Sequence, residues 1–433
     1  MTTNKNTKTG ISILIILAAF SFSGFQDHFT QINKHMANVP IYMPYNEMRT
    51  PIEMGSITGL SQPGKIYFKD QYIFINEIGK GLHVYDNTNP SSPVNLAFIE
   101  IPGNVDIAIK GDILYADNFT DLIVMDISDP TDAKFIERFN DVFPYSLPPY
   151  DESYPRAEID RSIGVVVGWK LEESETICHD ADCETQFPVS IGFATWDMQT
   201  FTVSSFSPNM GIGARGTGVG GSMARFALNG DYLYTVSETD LYVFDLQTPR
   251  SPILGDKIDI GMNIETIFPY GDNLFIGSQT GMFIYDVSSP FSPSFISEFT
   301  HMRSCDPVVV EGDYAYVTMR SGTSCGGWTN ELNVVDISTL SNPTLVRSIS
   351  MSNPHGLGID GDKLFVCDGT SGLRIYSAAN PSSIKLLETK SDINALDLIL
   401  YNNLMMMIGK DGLYQYDYSD IENLEFLSVI PVN

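Results

Sequence analysis

GLHVYD (81–86), DLIVMD (121–126), DLYVFD (240–245), GMFIYD (281–286), ELNVVD (331–336), GLRIYS (372–377) and GLYQYD (412–417) are variants of one phrase. Each opens on glycine or an acidic residue, alternates apolar side chains and closes on Asp, except for Ser377. Most copies are 40, 41 or 50 residues apart. Self-similarity at that period marks a repeat architecture, in which each unit buries its apolar face only against its neighbours.

Working outward from the phrase, each copy sits between recognisable elements. Upstream lies a Gly-Asp turn followed by alternating apolar residues: GDILYAD (111–117), GDYLYTV (230–236), GDNLFIG (271–277), GDYAYVT (312–318) and GDKLFVC (361–367). Glycine supplies the positive φ that a tight hairpin requires. Downstream lies a Pro-rich turn such as NTNPSSP (87–93), LQTPRSP (246–252) or VSSPFSP (287–293). There the phrase's Asp can accept amide hydrogen bonds, a structural role. A fourth strand follows the turn, and a first strand precedes the Gly-Asp pair. Four antiparallel strands per unit with no helix between them is the blade of a single all-β propeller.

The blade count turns on one interval. Asp245 follows Asp126 by 119 residues, nearly three steps. GVVVGW (164–169), GFATWD (192–197) and FTVSSF (201–206) read as strands of a degenerate copy interrupted by an acidic insertion near 170–190. Eight blades are therefore expected, with seven and a long insertion as the alternative. Both ends hold a complete blade, so ring closure is left to packing or to residues 36–60.

The phrase DLIVMDISDP (121–130), with LYVFDLQTP and LNVVDIST, resembles the Leu-Val-Ile-Val-Asp motif of the LVIVD-repeat family. The segments at 63–77, 303–327 and 353–369 are similar to exported bacterial members. The resemblance spans roughly residues 40–420 and implies an exported or surface β-propeller. It brings no catalytic residues with it.

Residues 1–23 read as an export signal: Lys5 and Lys8, the apolar run ISILIILAAF (11–20), then Ser21 and Ser23 before the cut. Residues 24–60 form an N-terminal extension and 61–433 the propeller. The apolar run is shorter than the roughly 20 residues of a membrane span, so no stable membrane insertion is expected. The expected location is periplasmic, cell-surface or secreted. The net charge of −28, from 53 acidic and 25 basic residues, excludes nucleic acid as a partner.

In an exported chain the five cysteines can form disulfides. Cys305 opens a strand and Cys325 follows the next one, which places them side by side in an antiparallel pair. Cys178 and Cys183 bracket CHDADC, where a disulfide is favoured over a metal held with His179, because a fourth ligand is lacking. No metal or cofactor is expected. Cys367, in LFVCDG, reads as a buried thiol.

Candidate ligand-binding positions come from the first strands, which line a propeller's channel. Counting back from each Gly-Asp turn gives Lys65, Asp106, Arg225, Glu265, Asp306, His355 and Asp397. Such a ring either binds a small polar ligand or neutralises itself. The glycine run GIGARGTGVGG (211–221) lacks the strand before and helix after it that a dinucleotide site needs, and reads as a loop crossing one face. No G-x-S-x-G or H-E-x-x-H motif occurs. The expected role is a monomeric, non-enzymatic scaffold binding a protein or glycan through loops at 141–160, 170–190 and 207–221. The alternative is a receptor, or a lyase or hydrolase, acting through the channel ring.

Overall fold

The computed structural model describes residues 30–179, 219–220, 224–300, 307–321 and 329–433. Residues 41–149, 160–168 and 194–433 make up the larger of two compact units, and this unit is the propeller. Its blades are four-stranded and antiparallel. Blade 1 comprises Pro63–Lys69, Tyr72–Glu77, Gly81–Asp86 and Val94–Glu100; blade 2 comprises Ile107–Lys110, Ile113–Asn118, Asp121–Asp126 and Lys134–Phe139. In blade 3, Phe226–Asn229, Tyr232–Val236 and Asp240–Asp245 are followed by an outer strand split into Ile253–Leu254 and Ile258–Asp259. Blades 4 to 7 start at Ile264–Tyr270, Val308–Glu311, Leu357–Asp360 and Ala395–Tyr401, and the last ends at Glu425–Pro431.

The first strands neighbour one another in a closed circuit, blade 1 to 2, 2 to 3 and onward to 7, which returns to blade 1. The ring therefore has seven blades, the alternative count, and not eight. Blade 2 contacts blade 3 directly across the long interval. Gly164–Trp169, expected as a strand of a third of eight blades, belongs to Gly164–His179, which pairs with Thr30–Pro44 in a separate two-stranded sheet. The other two strand candidates, at 192–197 and 201–206, lie outside the described residues.

The turn residues act as their chemistry dictates. Gly111, Gly230, Gly271, Gly312 and Gly361 occupy the left-handed region at φ between 57° and 59°. Asp70 takes that position in blade 1, and Asn402 with Asn403 in blade 7, the side chains that tolerate it best after glycine. The phrase-ending aspartates each accept the amide two residues on: Asp86 from Thr88 (2.8 Å), Asp126 from Ser128 (2.9 Å), Asp286 from Ser288 (2.7 Å) and Asp417 from Ser419 (2.7 Å). The Ser128 amide and hydroxyl and the Arg250 guanidinium hold the Asp126 carboxyl down at about 2.

Apolar clusters lie between successive blades. Leu82 and Val84 of blade 1 pack with Ile109, Leu114 and Ile123 of blade 2. Blade 7 contributes Ile399, Met406 and Ile408 against Ile66, Phe68 and Ile73 of blade 1. Truncating a fully buried member such as Leu82 to alanine costs about 2–5 kcal/mol. The Pro-rich turns add polar ties between blades: Tyr115 Oη donates to Pro249 O (2.7 Å) and Tyr234 Oη to Pro290 O (2.8 Å).

At the closure the same tie is made with other residues. Ser428 Oγ and Gln415 Nε2 both donate to Pro90 O (2.6 and 3.1 Å), and the Gln415 and Asn87 amides pair reciprocally at 2.8 Å. Leu60 bridges Val432 in parallel, with Asn433 N donating to Leu60 O (2.8 Å). Closure thus uses both packing and the segment before blade 1. That segment also adds Glu53–Gly55 to the outer edge of blade 1. Arg49 fastens it to blade 2 through a two-pronged pair with buried Asp121 (2.9 and 3.0 Å).

The smaller unit holds residues 1–40, 150–159 and 169–193. In it Lys34 faces Glu173 (3.0 Å) and Glu175 (2.9 Å), and Asn38 Nδ2 donates to Asp151 O and Tyr154 O. The Arg156 guanidinium lies over the Tyr150 ring, which makes an edge contact with Trp169. Among the described residues no helix is long and apolar enough to cross a membrane.

Candidate functional site

Of the charged positions expected, Lys65, Glu265 and Asp397 lie in first strands and Asp106, Arg225 and His355 just before them, and the structure divides them into groups. Asp106, at the lip of blade 2, is 4% exposed. Its Oδ2 accepts Lys65 Nζ of blade 1 (2.6 Å) and the backbone amides of Arg225 and Phe226 (3.2 Å from the latter), where the chain enters blade 3. Its Oδ1 accepts the Ile107 amide (2.8 Å). One carboxylate therefore ties three blades together. Burial lowers the Lys65 pKa, with the Arg225 charge acting in the same direction and Asp106 opposing both. The cavity beside this pair measures about 10 Å³ and lies between Lys65, Asn76, Asp106 and Ala224. That is the threshold for a single water.

His355 is held on three sides. Arg320 Nη1 lies 2.8 Å from Nδ1, Asn353 Nδ2 3.0 Å from Nε2, and Thr318 Oγ1 donates to the His355 carbonyl (2.6 Å). Arginine only donates, so Nδ1 accepts and the ring proton sits on Nε2, which calls for the Asn353 amide to turn its oxygen toward it. Burial, then the Arg320 charge, lowers the His355 pKa to about 3. The imidazole stays neutral at physiological pH with both nitrogens engaged, a poor arrangement for a general base.

Asp397 on blade 7 is fully buried, and among the described residues neither carboxyl oxygen has a partner within good hydrogen-bond geometry. Burial pushes its pKa well above the carboxylate range, against weaker pulls from the Leu398 amide and the Lys65 charge. Glu265 accepts Gln279 Nε2 (3.2 Å). Asp306 lies outside the described residues. The structure thus joins Lys65, Asp106 and the Arg225 backbone, sets Asp397 within electrostatic reach of Lys65, and places Glu265 and His355 in separate groups. Val219–Gly220, the end of the glycine run, pairs with Tyr67 and Phe68 on the free edge of blade 1's first strand, so its backbone lies on the channel side.

One recurring acid escaped the sequence reading. Glu77, Asp117 and Asp368 each stand four residues before the phrase, at the end of the second strand or just past it. Each accepts two amides from the chain leading into its own first strand. Glu77 takes Ser61 N and Gln62 N (3.0 and 2.8 Å), Asp117 takes Val105 N and Asp106 N (2.7 and 3.0 Å), and Asp368 takes Ser352 N and Asn353 N (3.0 and 2.7 Å). Their constant spacing from the phrase was the available signal. Their titration differs: burial raises Asp117 to about 6. Burial also works against ionisation of Glu77, but hydrogen bonds from His83, Ser61, Gln62 and Lys80 outweigh it and hold it at about 2.

A second cleft, of about 610 Å³, opens beside blade 1, between residues 56–61 and the strand ends at 77–80 and 98–102. Among the described residues no three His, Cys, Asp or Glu side chains are grouped to hold a metal ion. Cys367 is buried as expected, and its thiol pKa is raised by burial and by Asp397 and Asp368. The proposed pairings Cys305–Cys325 and Cys178–Cys183 involve side chains outside the described residues.

A family model described as LVIVD repeat matches residues 103–141, 265–301 and 303–350, which cover blades 2, 4 and 5. Similar solved structures include a protein from Lactobacillus plantarum: 12% identity, TM-score 0.54, covering 85% of this chain and 96% of that one. The computationally designed Ika8 protein aligns at 10% identity and TM-score 0.49, over 87% and 90% of the two chains. A functionally unknown protein from Desulfotomaculum acetoxidans DSM 771 aligns at 9% identity and TM-score 0.46, over 85% and 95%. No curated protein matches. At these identities the likeness concerns the fold alone.

Proposed function

We propose that this chain, a β-propeller built on LVIVD repeats, is a non-enzymatic, exported scaffold that binds a protein or glycan partner at its surface. The observation that carries the reading is the state of the channel ring. Lys65 and Asp106 neutralise each other and tie blades 1, 2 and 3, His355 is locked neutral, and Asp397 is buried. These groups serve the scaffold and offer a ligand little open polar surface. Binding regions are more often carried by segments mounted on a rigid scaffold than by the scaffold itself. The reading of residues 1–23 as an export signal supports the compartment.

The test is a thermal-shift screen against metals, organic acids and oligosaccharides, because a ligand raises apparent stability by mass action. Any ligand found should keep its affinity in a folded His355→Gln variant. Loss of binding in that variant, with the melting temperature unchanged, overturns the reading in favour of the channel. N-terminal sequencing of the exported protein should begin at Gly24; a retained Met1 overturns the export signal.

A further inference from the structure

We propose that the cleft beside blade 1 is a binding site for a neutral oligosaccharide; this rests on the surface-scaffold reading and locates its site. The volume of about 610 Å³ falls within the roughly 300–1,000 Å³ of small-ligand clefts. One wall is the segment leading into blade 1, with the hydroxyls of Ser56, Thr58 and Ser61. All three residues are exposed, and among the described residues none of these hydroxyls makes a hydrogen bond. A hydroxyl both donates and accepts, as a sugar hydroxyl does. The facing wall carries half-buried Pro102, apolar surface suited to the C–H face of a pyranose, beside Phe98, which is itself only 9% exposed.

The charges narrow the ligand class. Glu77 is buried and satisfied by the Ser61 and Gln62 amides, and Lys80 leans on it at 3.3 Å. The lysine is therefore already compensated. Glu100 stands exposed at the rim, directly across the sheet from Glu53. A phosphate or carboxylate ligand would meet these carboxylates with no unpaired cation in the lining to receive it. A neutral polyol meets an acceptor at Glu100, a donor at Lys80 and two-way partners at the three hydroxyls. Gly79 keeps the opposite lip clear: it sits at φ +70°, and a side chain there would enter open space.

The experiment uses the mature full chain and isothermal titration with maltotriose, cellotriose, chitotriose and mannotriose, with pyrophosphate as the anionic comparison. At least one trisaccharide should bind and pyrophosphate should not. Ser56→Trp, at an exposed position, should abolish binding by filling the cleft, and Glu100→Gln should weaken it about tenfold, both with unchanged melting temperature. No binding of any of the four at millimolar concentration overturns the cleft proposal, as does tighter binding of pyrophosphate. A trisaccharide that binds S56W as well as the unaltered chain overturns the cleft but leaves the surface scaffold standing. A trisaccharide lost in folded His355→Gln and retained in S56W overturns both.

Discussion

Asp106 and Asp397 are two acids at corresponding places on first strands, one on blade 2 and one on blade 7, and both bear electrostatically on Lys65 of blade 1. Both are buried. Asp106 is supplied with a lysine and three backbone amides drawn from two blades. Among the described residues Asp397 has no partner in good hydrogen-bond geometry at either oxygen. The first carboxylate is paired with Lys65 and joins the ring; burial shifts the second toward its neutral form. Residue type and position along the repeat are the same, so the difference comes from what other segments deliver. Blade 3 re-enters the ring after the long interval, and its entering amides at Arg225 and Phe226 are what Asp106 captures.

The comparison breaks first at Asp106. Asp106→Ala should cost about 3–5 kcal/mol in urea denaturation, because it strands Lys65 as a buried charge. The double change Lys65→Met with Asp106→Leu should recover much of that loss, since it removes both desolvated charges. A loss no greater than about 1 kcal/mol for the single change would show that the pair does not hold blades 1 to 3 together.

Asp397 should respond in the opposite sense. Its folded pKa is raised, so the folded chain binds the proton more tightly than the unfolded one. Its contribution therefore falls as pH rises above the unfolded value of about 3.9. Asp397→Asn removes the titration and should raise stability at pH 8 by about 1–2 kcal/mol, with little change at pH 4. Equal effects at both pH values would contradict a neutral Asp397.

A smaller contrast separates Glu77 from Asp117. The pKa of Glu77 is depressed to about 2, so its stabilisation is present above the unfolded value of about 4.3 and is lost as pH falls toward 2. Asp117, raised to about 6, loses stability for the fold as pH rises from about 3.9 toward 6. Glu77→Gln should flatten the acid limb of a melting-temperature profile, and Asp117→Asn the limb between pH 4 and 6. The smallest effect belongs to the turn aspartates: Asp286→Ala removes an exposed amide acceptor, and its melting shift should sit at the edge of detection by calorimetry.

Much of the architecture was legible because it is local. The phrase, the Gly-Asp turns and the Asp-to-amide caps each act within a few residues, as Asp286 and Ser288 show at 2.7 Å. The positions of the first strands followed from the same register, which is why Lys65, Asp106 and Asp397 were found. Their roles did not follow. The partners of Asp106 lie 41, 119 and 120 residues away, and no periodicity reports such distances. The eight-blade count, with seven as its alternative, turned on GVVVGW (164–169) for a related reason. Its short run of β-branched valines suits any strand, and it pairs with Thr30–Pro44 instead of entering the ring.

The sequence by itself determined the blade, because alternation, turn chemistry and the repeat period are short-range properties written into every copy. Only the tertiary structure decided the number of blades, the manner of closure and which buried acid carries charge. Those depend on which distant segments arrive with apolar surface, amides or a cation, and a buried carboxylate is ionised only where such partners offset its loss of water.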